Sequence, residues 1–264
     1  MAVTQPSPAP GRSSPAFILS FPRSGTTLLG HILAMSDEVA LLEEPQLLTQ
    51  IAAEFVESPD GIARLASLAE DALENYRAQY RADARRLGAD LDKKLVVDQT
   101  ALNTIHLPAI GRFFPDAPVI FVIRDPRDVV FSCFRRQFEP TPFTLEFHSL
   151  ESTARFYDRM MRLADTCREK TGLETFDIRY EDVVANFDSQ TQRLCTRLGI
   201  AWAPDMREFQ RAAEGRTLVT RSAPQIRRGL NSDSVGAWRR YREQMMPVLP
   251  ALAPWVERFG YSPD

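Results

Sequence analysis

Between Phe17 and Leu33 the chain reads FILSFPRSGTTLLGHIL, and the chemistry these residues suggest is the holding of an anion. A short apolar run ends in Ser-Phe-Pro-Arg-Ser-Gly-Thr-Thr, after which Leu28, Leu29, Ile32 and Leu33 fall at helical spacing. The segment therefore reads as strand, phosphate-sized loop and helix. The backbone N–H groups of Ser24, Gly25, Thr26 and Thr27 would open that helix, where unpaired donors and the helix dipole favour negative charge. Against the nucleoside-triphosphate loop G-x-x-x-x-G-K-[ST], Gly25 takes the place of the second glycine. Ser20 stands where the first belongs, and Thr26 where the lysine belongs. Arg23 supplies charge from the other side of the loop. An arginine and two hydroxyls, without an evident acidic magnesium ligand, suit a smaller anion needing no metal, such as a sugar phosphate or a sulfate ester.

A second anion-sized constellation lies in VIFVIRDPRDVVFSCFRR. A strand ending in Arg124 runs into a helix start with Asp125 as N-cap, Pro126 at the first helical position and Asp128 near the third. Ser132 and Arg136 are four residues apart on the same helix, so that with Arg124 they come within reach of one phosphate. Two further strand ends carry polar groups. VALLEEPQLL brings Glu43 and Glu44 to the end of an apolar run, with Pro45 turning the chain inward and Glu43 expected to face solvent; LVVDQTALN ends in Gln99.

The elements that must position these groups alternate. Short apolar runs start at Ala16, Val39, Lys94, Val119 and Thr175 and are separated by helical patterns. That order predicts an α/β fold with a central parallel sheet flanked by helices, three layers in all and P-loop-like at its first loop. Between Pro59 and Leu91 a charge-rich helical pattern, with Gly88 as its stop, is expected to cover the sheet. The stretch FEPTPFTLEF, Phe138 to Phe147, reads as an exposed loop or lid, or as a loop that packs its rings.

Composition narrows the function classes. The chain has 264 residues, 44% hydrophobic and 25% charged, with a net charge of -3. Those values fit a globular protein and offer no basic field for nucleic acid. Lys93, Lys94 and Lys170 are the only lysines among 32 basic residues; the rest are arginines, whose planar forks suit phosphate. Cys133, Cys167 and Cys195 show no CxxC spacing, and His31, His106 and His148 are scattered, so neither a disulfide framework nor a metal site is expected. Residues 1–15, rich in Pro and Ser, read as a disordered tail before a single domain over 16–264. With no apolar run of membrane-spanning length and no signal-peptide pattern, a cytoplasmic location is expected.

FPRSGTTLLGHIL resembles the 5′-phosphosulfate loop of sulfotransferases that use 3′-phosphoadenylyl sulfate (PAPS), in particular the protein-tyrosine sulfotransferases and related bacterial enzymes. VIFVIRDPRDVVFSCFRR is similar to the segment that holds the donor's 3′-phosphate in that group. FDIRYEDVVANF resembles its strand ending in Tyr-Glu, and TRSAPQIRRGLNSDSVGAWRRY its donor-covering loop before a Trp helix. The resemblance runs from Ala16 to Tyr261. It implies PAPS as donor and 3′,5′-ADP (PAP) as product, held by Arg23, Ser24, Gly25, Thr26, Thr27, Arg124, Ser132, Arg136, Tyr180, Ser222, Gln225, Asn231 and Trp238. It implies a catalytic set of Glu44 as general base with Arg23, Gln99 and Ser222, acting on a hydroxyl of a peptide tyrosine, a carbohydrate or a small molecule. Two positions depart from the family pattern. Gln99 stands where many relatives carry a lysine that supports the leaving oxygen, and Ala237 occupies a basic position for which Arg239 or Arg240 is a substitute. Two rival readings follow from these departures and from the altered loop: a PAP-binding protein without activity, and a kinase-like enzyme.

Overall fold

The computed structural model describes residues 14–210, 230 and 232–264; of the expected tail, 1–13 lie outside them. Five strands form one sheet: β1 (Ala16–Leu19), β2 (Val39–Glu43), β3 (Leu95–Gln99), β4 (Val119–Ile123) and β5 (Thr175–Arg179). Their order is β2-β3-β1-β4-β5, and all four pairings are parallel. Each apolar run of the sequence is a strand, as the alternation requires.

Burial on both faces explains why these strands read as continuous apolar runs. Phe17 and Leu19 of β1, with Val119, Phe121 and Ile123 of β4, enter one core cluster; Ile18, Ile120 and Val122 enter another on the opposite face. The second cluster receives Leu28, Leu29, Ile32 and Leu33 of helix α1 (Thr26–Leu33). The first receives Leu65 from α2 (Gly61–Ser67), Leu73 and Tyr80 from α3 (Glu70–Arg86), and Leu107, Ile110 and Phe113 from α4 (Leu107–Phe113). It is completed by α5 (Pro126–Phe134), α6 (Leu150–Thr171) and, further on, α9 (Leu249–Arg258). Helices α7 (Tyr180–Ala185) and α8 (Phe187–Leu198) pack Val183, Phe187 and Leu194 on the face of α1.

Three local expectations are refined. The helical pattern before Gly88 is two helices, broken where Leu68 is extended, and Arg112 takes the carbonyls of Leu65 and Leu68 that a continuous helix would use itself. Gly88 follows α3 with φ 84, the left-handed geometry of a helix stop. The aromatic stretch 138–147 is a packing loop: Phe147 is buried against Phe21 and Phe156, Phe138 lies on Phe147, and Phe143 stacks on Phe156. Phe147 completes the core under the first loop, while Phe138 and Phe143 are half-buried against it.

Asp125 caps α5 as its sequence suggests, accepting from the Arg127 N–H, a contact worth about 1 kcal/mol. The strand order matters most for function. The connection leaving β1 runs toward β2 on one face, and that leaving β4 runs toward β5 on the other. A crevice therefore opens at the carboxyl ends of β1 and β4, where ligands settle in open parallel sheets.

Candidate active site

Every strand delivers a candidate residue to that carboxyl edge. Arg23 follows β1, Glu44 follows β2, Gln99 ends β3, Arg124 follows β4 and Tyr180 follows β5.

The loop after β1 is tightly built. Gly25 has φ 109, and a Cβ placed there would lie 2.6 Å from the Tyr180 ring, so both geometry and packing require glycine. Ser24, Thr26 and Thr27 are buried. Arg23 is held at φ 72, strained for a non-glycine residue. Its Nε donates to Ser132 Oγ at 3.2 Å, while its carbonyl accepts from Arg124 at 2.8 Å. Arg124 donates also to the Ser234 carbonyl at 2.6 Å and lies 4.6 Å over the Tyr180 ring. The Tyr180 hydroxyl meets Ser234 Oγ at 2.9 Å.

This end of the edge concentrates positive charge. Burial first, and then the neighbouring Arg136 and Arg124 cations, depress the Arg23 pKa to about 10. Arg124 Nε is buried and has no partner among the described residues. Three clustered guanidiniums and a buried donor with hydrogen-bonding capacity to spare suit an anion. One expectation is corrected here. Arg136 is not on the helical face of Ser132, because α5 ends at Phe134 and Arg135 is its cap; Arg136 follows in a bend, bonded through its N–H to the Cys133 carbonyl. It reaches the cluster through the turn, not along the helix.

The opposite end of the edge is acidic. Glu44 adopts φ 50, and its N–H donates to the Gln99 carbonyl at 2.9 Å. Gln46, with φ 57, shares this strain; of the four non-glycine residues with positive φ among those described, three lie in the two site loops. The Glu44 side chain keeps an exposed flank, yet its dense surroundings and the Glu43 carboxylate raise its pKa. A raised pKa suits a group that takes up a proton near neutrality.

The expected exposure of Glu43 and Glu44 is reversed. Glu43 continues the face of Leu41 toward α1, and its side chain is 14% exposed, 3.6 Å from His31 Nε2. Glu44 lies past the strand end, where side chains no longer alternate, and it is the exposed member. Gln99 is fully buried, donating from Nε2 to Thr26 Oγ1 at 3.3 Å, with its Oε1 unpaired among the described residues. Ser222, Gln225 and Asn231 lie outside the described residues. Trp238 is completely buried in the core, and its Nε1 has no partner among the described residues.

The sequence reading missed the residues that hold this edge in place. Asp128, read only as a helix-start residue, accepts from the backbone N–H groups of Gly236 and Trp238 at 2.6 and 2.9 Å. Arg127 clamps Asp125 through two bonds, reaches the carbonyls of Ser262 and Pro263, and lies over the Trp238 ring. Asp98 is buried beneath Glu44, bonded by Tyr80 and Thr100, and burial lifts its pKa to about 6, the Glu44 charge adding to the shift. A carboxylate inside an apolar strand run, LVVDQ, was the one signal available for it.

This geometry agrees with the match of residues 15–204 to the family model described as Sulfotransferase family. The chain belongs to the sulfotransferase family. It is similar to protein-tyrosine sulfotransferase A of Caenorhabditis elegans, 24% identical over 266 residues that cover 96% of this chain and 69% of that protein. It is also similar to an uncharacterized protein of Aquifex aeolicus, 25% identical over 250 residues, 90% of this chain but only 32% of the relative's length. Among solved structures, the sulfotransferase domain from the curacin biosynthetic pathway shares the fold, with a TM-score of 0.63 at 18% identity, covering 94% of this chain and 99% of that one. Among the described residues no helix is long and apolar enough to cross a membrane.

Proposed function

We propose that the chain transfers a sulfuryl group from PAPS to a hydroxyl, with Glu44 as general base. The observation that carries this reading is the polarity of the carboxyl edge: a buried arginine cluster around Gly25 at one end, and a carboxylate of raised pKa at the other. The residues fit the donor, because three cations and an orphaned Arg124 Nε surround a loop of buried hydroxyls. Bound PAPS would supply an activated sulfuryl group on its 5′-phosphate.

Ser24, Gly25, Thr26 and Thr27 would hold the 5′ end through backbone N–H groups at the start of α1, with Arg23 offsetting its charge. Arg124, Ser132 and Arg136 would hold the 3′-phosphate. Ser132 can accept from Arg23 and donate its own O–H at once, so the Arg23 contact does not block that role. Gln99 would support the leaving oxygen as a neutral donor, weaker than a cation there. Ser222, Gln225 and Asn231 are assigned to the donor cover, Ser222 also to catalysis, and Trp238 anchors the end of that segment from the core. Glu44 would take the hydroxyl proton as the new bond forms.

Among the rivals, a PAP binder without turnover is favoured by one observation, the absence of a cation at Gln99. Calorimetry with PAP, followed by PAPS-dependent mass gain over phenols, carbohydrates and tyrosine peptides, tests both readings. PAP binding with transfer supports the enzyme. Binding without transfer to any acceptor supports the binder, and no PAP binding refutes both.

A further inference from the structure

A cavity of about 540 Å³, whose wall begins at Pro45, the residue after Glu44, falls within the size range of small-molecule sites. Pro45 and Gln46, which follow the glutamate directly, line it together with Leu47 and Ile51. From the other side α3 contributes Tyr76 and Tyr80, and Leu87 just past its end, 54% exposed, adds apolar surface. Tyr80 ties the cavity to the base: its hydroxyl donates to Asp98 at 3.0 Å, and Asp98 feels the Glu44 charge.

The charges around this cavity discriminate. Among the described lining residues Arg86 is the one cation, and its guanidinium is already bound to Asp83, whose other oxygen accepts from Gln79 at 2.9 Å. Glu54 holds the Tyr76 hydroxyl at 2.7 Å, placing another carboxylate at the wall. An acceptor carrying negative charge would meet Glu44, Glu54 and Asp83, while among the described residues Arg86 is bonded to Asp83 and Arg64 to the Glu54 carbonyl and Ser58. A neutral flat ring would instead meet the tyrosine rings, leucines and isoleucine, which favour aromatic contact.

We propose that this cavity is the acceptor site and that it takes an uncharged phenol, with the hydroxyl toward Glu44, while turning away anionic acceptors such as acidic tyrosine peptides. This rests on the sulfotransferase reading above. In the transfer, the phenol oxygen bonds to sulfur and the bond from sulfur to the 5′-phosphate oxygen breaks. Its electron pair stays on PAP, and the phenol proton passes to Glu44.

Binding and turnover test the assignment separately. By calorimetry on PAP-loaded protein, 4-methylphenol should bind at least tenfold more tightly than 4-hydroxyphenylacetate, and it should show the higher kcat/KM with PAPS. Ala53 lies on the exposed wall; Ala53→Trp fills the cavity and should weaken 4-methylphenol at least tenfold with PAP affinity kept. Asp83→Asn releases Arg86 and should narrow the preference against 4-hydroxyphenylacetate. Equal or tighter binding of the anion, preference for an acidic tyrosine peptide, or indifference to Ala53→Trp would each overturn the proposal. Loss of PAP binding in the unmodified protein would instead refute the sulfotransferase reading itself.

Discussion

The two ends of the carboxyl edge are built on opposite principles. At the β1, β4 and β5 end, arginines crowd together and are tied to backbone: Arg124 to the carbonyls of Arg23 and Ser234, Arg127 to Asp125 and the chain's last residues. At the β2 and β3 end, Glu43, Glu44 and Asp98 gather with Gln99, and the Gln99 and Glu43 Oε1 atoms have no partner among the described residues. The first end is a fixed cationic seat, pre-organised for an anion. The second is a cluster of carboxylates in which burial has raised the proton affinity of Glu44 and Asp98. On the proposed reading binding and proton uptake are separated along one edge, and variants should separate them too.

The largest expected effect falls at the acidic end. Glu44→Gln keeps the shape and removes the proposed base, so turnover should fall by roughly 10²- to 10⁴-fold while PAP affinity and Tm stay near the unmodified values. Glu43→Gln is the comparison. Because Glu43 is the buried member beside His31, its change should act mainly on stability. If Glu43→Gln is the inactive variant, or both retain activity, the base has been misassigned.

At the cationic end, Arg124→Ala should weaken PAP by on the order of 1.5 to 3 kcal/mol for each charge-assisted hydrogen bond that the truncation removes. Arg124 also holds the Arg23 carbonyl, so a ligand lacking the 3′-phosphate should weaken as well, though less. Calorimetry with both ligands reads this. An unchanged affinity for PAP would remove Arg124 from the seat.

Asp98→Asn should move stability in a pH-dependent way. The folded pKa, about 6, lies above the ordinary 3.8, so between those values the folded state binds more protons than the unfolded one. Asp98 therefore supports the fold below about pH 4, and that support is lost as pH rises through 6. The asparagine avoids this cost and should stabilise at pH 7.5 by about 1 to 3 kcal/mol, with little gain at pH 4. His106, whose pKa burial lowers to about 4, contributes with the opposite sign. It is common to both proteins and cancels in the difference. Equal Tm gains at the two pH values would contradict this account.

The smallest effect is expected for Gln99→Lys. It restores a cation at the leaving-group position, but the register pairs Gln99 with Glu43 across the sheet. An ammonium there would share its charge with that carboxylate. Turnover at saturating PAPS should rise less than about tenfold; a fall would show that the buried site, packed close to Gly30 and Leu41, cannot take the longer chain.

The sequence by itself determined the five strands, the helix starts at Thr26 and Pro126, and the loop around Gly25. Apolar periodicity, capping residues and a glycine at positive φ are local properties, written in neighbouring residues. It also carried the family resemblance through four segments. What it left open was which way side chains face once regular alternation stops. Glu43 and Glu44 sit on either side of that boundary, and only the position of α1 and His31 showed which one is buried. Arg136 left its expected face because α5 ends two residues earlier. Asp128 and Arg127 read as ordinary helix-start charges, yet their partners lie more than a hundred residues away, in the segment ending at Ser262 and Pro263. Nothing local encodes such a contact. The cavity that begins at Pro45 has the same origin, since its walls come from separate stretches, 45–53 and 76–87, that only packing on the sheet brings together.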